Sequence, residues 1–159
     1  MTPRIESTIE RKLIGIRLEM TFAANKTMEL WKGFMPRQNE IKNRVNEDLI
    51  SMQVYNEAFS FSHFDVNAPF GKWAVAEVSS FDNIPYEMEC FTLYAGLYAV
   101  FEYKGLNTDT SIFQYIFGTW LPLSDYVLDN RPHFEILGAK YKNNDPESEE
   151  EIWIPIKLK

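Results

Sequence analysis

The feature that most limits what this chain can fold into is an order of elements that occurs twice. In the first half, Lys12 to Phe22 reads as a strand, with branched and apolar residues alternating imperfectly with Arg17 and Glu19. A helix is expected from about Asn25, a residue suited to an N-cap, with Ala24, Met28, Trp31 and Met35 at helical spacing and Pro36 as its stop. Leu49 to Tyr55 and Trp73 to Val78 then read as short strands. In the second half, Cys90 to Tyr94 and Leu97 to Tyr103 are strand-like and joined by a tight Ala95-Gly96 turn. A helix begins near Asp109 or Thr110, carries a broad apolar stripe of Ile112, Phe113, Ile116, Phe117, Trp120 and Leu121, and ends at Pro122. His133 to Lys140 and, after an acidic loop, Glu151 to Leu158 complete the pattern.

The halves also match in detail. Phe34-Met35-Pro36 and Trp120-Leu121-Pro122 each close a helix with an aromatic, an apolar residue and proline. Ile14 to Pro36 and Val100 to Pro122 are both 22 residues apart, and Trp73 and Trp153 both stand near the start of a last strand. The expected fold is α+β: duplicated strand-helix-strand-strand units forming a pseudo-two-fold antiparallel sheet, with two helices on one face and a ligand cleft. Asp82-Asn83-Ile84-Pro85 divides the halves but is too short for an interdomain linker, so residues 1–159 are read as a single domain.

Composition removes several function classes. The net charge is −7, and an acidic chain repels phosphate backbones, so direct nucleic-acid binding is not expected. Apolar runs such as Leu97 to Phe101 fall far short of the ~20 residues a membrane span needs, and the N-terminus has no signal-peptide core. Cys90 is the one cysteine, which points to a cytoplasmic protein with a buried thiol and no internal disulfide. His63 and His133 have no metal-ligand spacing, and there is neither a glycine-rich phosphate loop nor a nucleophile elbow. No metal or other cofactor is expected. Glu147, Glu149 and Glu150 read as a solvated hairpin tip.

The segment richest in chemistry is Glu151-Ile152-Trp153-Ile154-Pro155-Ile156-Lys157. Period-two alternation puts the three isoleucines toward the helices and Glu151, Trp153, Pro155 and Lys157 on the opposite face. An indole on an open sheet face wastes apolar area unless something covers it, and a carboxylate beside an aromatic wall suits an organic cation. Trp73-Ala74-Val75-Ala76-Glu77-Val78 behaves alike, so Trp73 and Glu77 join the candidate ligand-binding residues; Tyr98 points either into the same cleft or into the core. Trp31 and Trp120 sit on helical stripes and are read as core.

Several separated motifs carry a family resemblance. The stretch Ala95-Gly96-Leu97-Tyr98-Ala99-Val100-Phe101-Glu102-Tyr103-Lys104-Gly105 resembles the signature of the GyrI-like small-molecule-binding domains, as do residues Phe113 to Pro122, Arg131-Pro132-His133-Phe134-Glu135 and the terminal Glu151-Ile152-Trp153-Ile154-Pro155-Ile156. The resemblance covers essentially the whole chain and is nearest to stand-alone, integron-cassette-type members. It implies a duplicated fold with a cleft on the symmetry axis that takes up lipophilic, often cationic compounds against an acidic residue, for sensing or sequestration. It places that acid on Glu151 and its aromatic partner on Trp153. The effector-binding domains of AraC-type and MerR-type multidrug regulators belong to the family, and its stand-alone members include a gyrase-inhibitory protein, so a regulator or a topoisomerase is the implied class of protein partner. No DNA-binding domain is read in residues 1–159, so a complete transcription factor is not expected. Some members resemble hydrolases of reactive natural products, which implies an alternative in which Glu151 acts as general base. Many relatives carry His where Tyr103 stands.

Overall fold

The computed structural model describes residues 1–56, 60 and 63–159. The chain runs β1 (Arg4–Thr8), β2 (Arg11–Met20), α1 (Thr27–Phe34) continued by a 3-10 segment (Met35–Glu40), β3 (Leu49–Tyr55), β4 (Phe70–Val78), β5 (Glu89–Leu93) and β6 (Gly96–Lys104). Then follow α2 (Ser111–Tyr115), which widens into a π turn (Ile116–Trp120) and closes in a last helical turn, α3 (Leu121–Leu123), and the strands β7 (Tyr126–Leu128), β8 (His133–Leu137) and β9 (Glu149–Leu158). All strand pairs among the described residues are antiparallel.

The sheet has nine strands in the order β1-β6-β9-β8-β3-β4-β2-β5, with β7 attached to the end of β9. Outward from the central β8–β3 pair, the order is β9-β6-β1 on one side and β4-β2-β5 on the other. The outermost strands are exchanged: β1 precedes β2 in sequence but pairs with β6, while β5 precedes β6 but pairs with β2. Residues 9–10 and 94–95 are all that join these far-apart strands. Each link covers three Cα steps, at most about 11 Å. The two ends of the sheet therefore approach each other, and the sheet curls with one face inside.

That inner face carries a continuous apolar cluster of Leu13, Ile50, Met52, Trp73, Val75, Leu93, Tyr98, Val100, Phe134 and Trp153. The outer face carries the helices. Leu30 and Phe34 of α1 pack on Ile14, Ala74, Ala76 and Val78, where the two small alanines let the helix lie close. Ile112 and Ile116 pack on Ala99, Phe101, Ile152, Ile154 and Ile156. Burying each such side chain contributes ~1.5–3 kcal/mol. The register puts both helices on the same face, because Ala74 pairs with Ser51, Ser51 with Glu135 and Glu135 with Ile152, and directly paired residues point the same way.

Several expectations need correcting. The 90–94 and 97–103 strands do not form a hairpin; the link at residues 94–95 crosses between opposite ends of the curled sheet instead. The α1 stripe is Leu30 and Phe34, whereas Met28 is 74% exposed and Met35 45% exposed. The helix starts later than expected: the Asn25 side chain accepts from the Thr27 N–H at 2.8 Å and so turns the chain before the first helical residue. Ile14 lies under α1 while Val100 lies on the inner face, so the equal 22-residue spacings do not align residues by face. Cys90 is exposed, because the inward positions of edge strand β5 belong to Phe91 and Leu93. Both β1 and β7 went unread. Among the described residues no helix is long and apolar enough to cross a membrane, and no group of His, Cys, Asp or Glu is arranged to hold a metal ion.

Candidate functional site

The six residues singled out by alternation do share one face, the inner one. Trp153, Trp73 and Tyr98 are 4%, 6% and 0% exposed. Phe134 stacks on Trp153 at 5.1 Å, and Tyr98 meets both rings edge-on while its hydroxyl donates to the Pro132 carbonyl at 2.8 Å. Burial pushes the Tyr98 phenol up to about 12. Pro155 is buried opposite Tyr98 in the β6–β9 pair. The carboxylate and the indole are coupled as the sequence suggested: Trp153 Nε1 donates to Glu151 Oε1 at 3.2 Å.

The cations at this place belong to the chain itself. Arg4, from β1, donates to Glu151 Oε2 at 2.7 Å and lies 5.9 Å from the Trp153 ring centre. Arg11 covers the same indole at 5.3 Å and donates to Glu77 Oε1 at 3.0 Å. The hydrogen bond to Glu151 raises the Arg4 pKa further, so this guanidinium stays charged. Glu151 thus has both oxygens engaged and its aromatic partner capped. Trp73 borders a recess of about 300 Å³ lined by Arg17, Glu19, Val54, Gly71, Glu89 and Phe91 among others. Within it Arg17 lies 3.4 Å from Glu89 and 5.9 Å from the Trp73 ring centre.

The outer face is different. The helices rest on the outer strands β2–β4 and β6–β9, and the central β3–β8 pair lies between them. Beyond the Leu49–Leu137 pair at one end, its outward positions are Ser51, Gln53 and Tyr55 on β3, and His133 and Glu135 on β8. Lys72 on β4 flanks Gln53, and Glu150 on β9 shares the face with Ile152. Aromatic rings wall this groove. Tyr55 meets His133 edge-on at 5.0 Å, Phe117 lies 6.1 Å from the same imidazole, and Phe22 and Phe70 gather around Tyr55. Phe117 is carried by the π turn, a helix distortion that often accompanies functional sites.

Among the described residues, the groove holds two carboxyls and one ammonium. Burial pushes the Glu135 carboxyl up, against the pull of Lys72. Burial, and then Glu135, pushes Glu150 up to about 8. Burial lowers the Lys72 pKa, opposed by Glu135 and Glu150. The Tyr55 and Tyr141 phenols are both raised by burial and by the groove carboxylates, and burial drives His133 down to about 3, leaving it neutral. With its amide oriented to satisfy both ends, Gln53 accepts from Lys72 Nζ at 2.8 Å and donates to the His133 carbonyl at 3.2 Å. Among the described residues, no hydrogen bond or ion pair within 4.0 Å engages Glu135 or Glu150, and both keep some contact with water. Deeply enclosed, solvent-reachable carboxyls with raised pKa values beside aromatic rings make this groove a second candidate binding site, in addition to the recess at Trp73.

Sequence reasoning missed Glu135, Lys72 and Glu150 for this role. Glu135 stood inside the quoted Arg131-Pro132-His133-Phe134-Glu135 motif, and its alternation with His133 was the available signal.

The family model of the integron-associated effector-binding proteins matches residues 4–156. No curated protein matches the chain in sequence. Among solved structures, the fold is similar to that of SAV2435 bound to tetraphenylphosphonium, with a TM-score of 0.65 at 16% identity, covering 99% of this chain and 94% of that one. An integron cassette protein from the mobile metagenome of Vibrio cholerae gives 0.66 at 14% identity, over 98% and 96% of the two chains. The C-terminal domain of EcmrR gives 0.67 at 14% identity, over 99% and 98%. At these identities the structural likeness is one of fold.

Proposed function

The chain belongs to the integron-associated effector-binding proteins, and on that premise we propose that it binds a small lipophilic organic cation in the groove between its two helices. The observation that carries this reading is the charge balance of the groove floor. Among the described residues, Glu135 and Glu150 are enclosed together with Lys72 as their one cationic neighbour, and both carboxyls are held above their ordinary range. An enclosed carboxylate without a full counter-charge is costly, so the site favours a ligand that brings positive charge with it. The rings of Tyr55, Phe117 and His133 supply apolar and π surface for the body of such a ligand. The tetraphenylphosphonium bound to the similarly folded SAV2435 is a molecule of this class.

In this reading residues 1–159 act as one effector-binding domain that senses or sequesters its ligand, and a regulator or topoisomerase is the class of protein that would receive the signal. Glu151, the base in the hydrolase alternative, has both oxygens committed to Arg4 and Trp153 and lends that alternative no support.

The test is calorimetric titration with tetraphenylphosphonium and with neutral triphenylphosphine oxide. Glu135→Gln is expected to weaken the cation by roughly 1–3 kcal/mol, the scale of a lost charge-assisted contact, while leaving the neutral compound almost unchanged. An equal loss for both would remove the electrostatic basis of the reading.

A further inference from the structure

The groove floor is polarised, and this bears on which cations fit it. Lys72 stands on β4 at one end, and Glu135 and Glu150 stand on β8 and β9 at the other, with β3 between them. The strands of Lys72 and Glu135 are two spacings apart, about 10 Å, and Glu135 lies two residues further along, since Lys72 lines up with His133 through Gln53. Gln53 holds the Lys72 ammonium from the intervening strand through the 2.8 Å contact, so the positive end has a fixed position. An ammonium has three donors, and among the described residues Gln53 takes one of them. Strand pairing puts Lys72 on the same face of the sheet as Glu135, and its charge acts on both Glu135 and Glu150.

We infer that the groove selects amphoteric ligands, in which a cationic centre lies over Glu135 and Glu150 and a carboxylate-type acceptor reaches Lys72. The inference rests on the ligand-binding reading above and narrows its substrate class. A ligand carrying only positive charge gains from the carboxyls but is repelled by Lys72. One that also carries an acceptor at the right distance satisfies both ends and leaves no charge of the floor uncompensated. Lys72 is thereby a specificity residue, the group that discriminates an amphoteric cation from a purely lipophilic one.

The experiment compares (4-carboxybutyl)triphenylphosphonium with its methyl ester, which have the same cationic body, and uses tetraphenylphosphonium as reference, on the wild-type protein and on Lys72→Met. The wild type is expected to bind the carboxylate form at least about tenfold more tightly than the ester, the scale of a charge-assisted hydrogen bond. Lys72→Met should abolish that preference and bind tetraphenylphosphonium more tightly, because a competing cation is gone. Lys72→Arg, which keeps the charge, should retain part of the preference and controls for folding. Tetraphenylphosphonium binding that depends on Glu135, with no preference between the two carboxyalkyl probes, overturns this inference and leaves the function standing. Failure of all three probes to bind overturns both.

Discussion

Glu150→Gln removes a carboxyl that the fold holds in an unfavourable state, and its effect on stability can be worked out with a sign. The folded-state pKa is about 8 against an ordinary value of 4.5. Between those values the folded protein binds more protons than the unfolded chain, so stability is greatest below the lower value and is lost as pH rises through the higher one. At pH 7 the unfolded carboxyl is almost fully ionised while the folded one is mostly protonated. The corresponding cost is ~3 kcal/mol at 1.36 kcal/mol per pKa unit. Glu150 keeps part of its surface in water, which screens the interaction, so the expected gain for Glu150→Gln at pH 7 is about 1–3 kcal/mol. At about 2–4 °C per kcal/mol for a chain of this length, Tm should rise by roughly 2–12 °C. Differential scanning calorimetry of both proteins from pH 4 to 9 is the assay. The curves should coincide near pH 4, diverge through neutrality and run parallel above pH 8. A variant that is no more stable than the wild type at pH 7, or that differs by a pH-independent amount, would show that Glu150 is not enclosed with Glu135 as described.

Further outcomes follow from the same geometry. Binding of a cation over the groove should expel a proton from the Glu135–Glu150 pair, so affinity should rise with pH up to about 8; calorimetry in buffers of different ionisation enthalpy would detect the proton, and a buffer-independent heat would refute the linkage. Arg4→Ala breaks a 2.7 Å pair whose side chains are 41% and 31% exposed, so the loss in a urea melt should be at most about 1 kcal/mol. Its effect on cation affinity separates the two faces. No change is expected if the ligand sits between the helices, whereas severalfold tightening would place it at Glu151 and Trp153, where Arg4 is the competitor. Gly15→Ala should destabilise by several kcal/mol or prevent folding, because a Cβ there runs into the Ala74 carbonyl of the paired strand; a circular dichroism melt like that of the wild type would contradict the close β2–β4 approach.

Much of the fold is legible in the chain because its strands are long enough to show their period. Leu49–Tyr55 coincides with its expected limits, and the β9 alternation assigns Ile152, Ile154 and Ile156 to the helices as found. The stripe on the second helix holds for the same reason: six apolar residues at helical spacing leave little choice of face. The errors fall where partner choice rather than local pattern decides. Nothing in Tyr94-Ala95 distinguishes a hairpin from a crossing between the ends of a curled sheet, since a two-residue link fits both. For β1, Arg4-Ile5-Glu6-Ser7-Thr8 alternates polar with mixed residues and carries no apolar face, so its strand character comes wholly from pairing with β6.

The site read from the sequence and the groove proposed here differ by one choice of face, and the reason is physical. Glu150 and Glu151 are neighbours on β9, and a period of two sends them to opposite sides of the sheet. Trp153 beside Glu151 made the inner face look like an aromatic pocket, and the same indole instead became part of the core once the sheet curled. Curling depends on the exchange of β1 and β5, a long-range event that no local pattern encodes. That exchange also delivers Arg4 and Arg11 to the inner carboxylates, which neutralises the feature that had suggested a cation site. On the outer face the opposite holds. Glu135 and Glu150 are brought together from separate strands under a wall of rings, with a lysine too few to balance them. On the proposed reading, the acids that matter for binding are those whose charge the fold leaves uncompensated, and compensation is settled by strand order rather than by the residues next door in sequence.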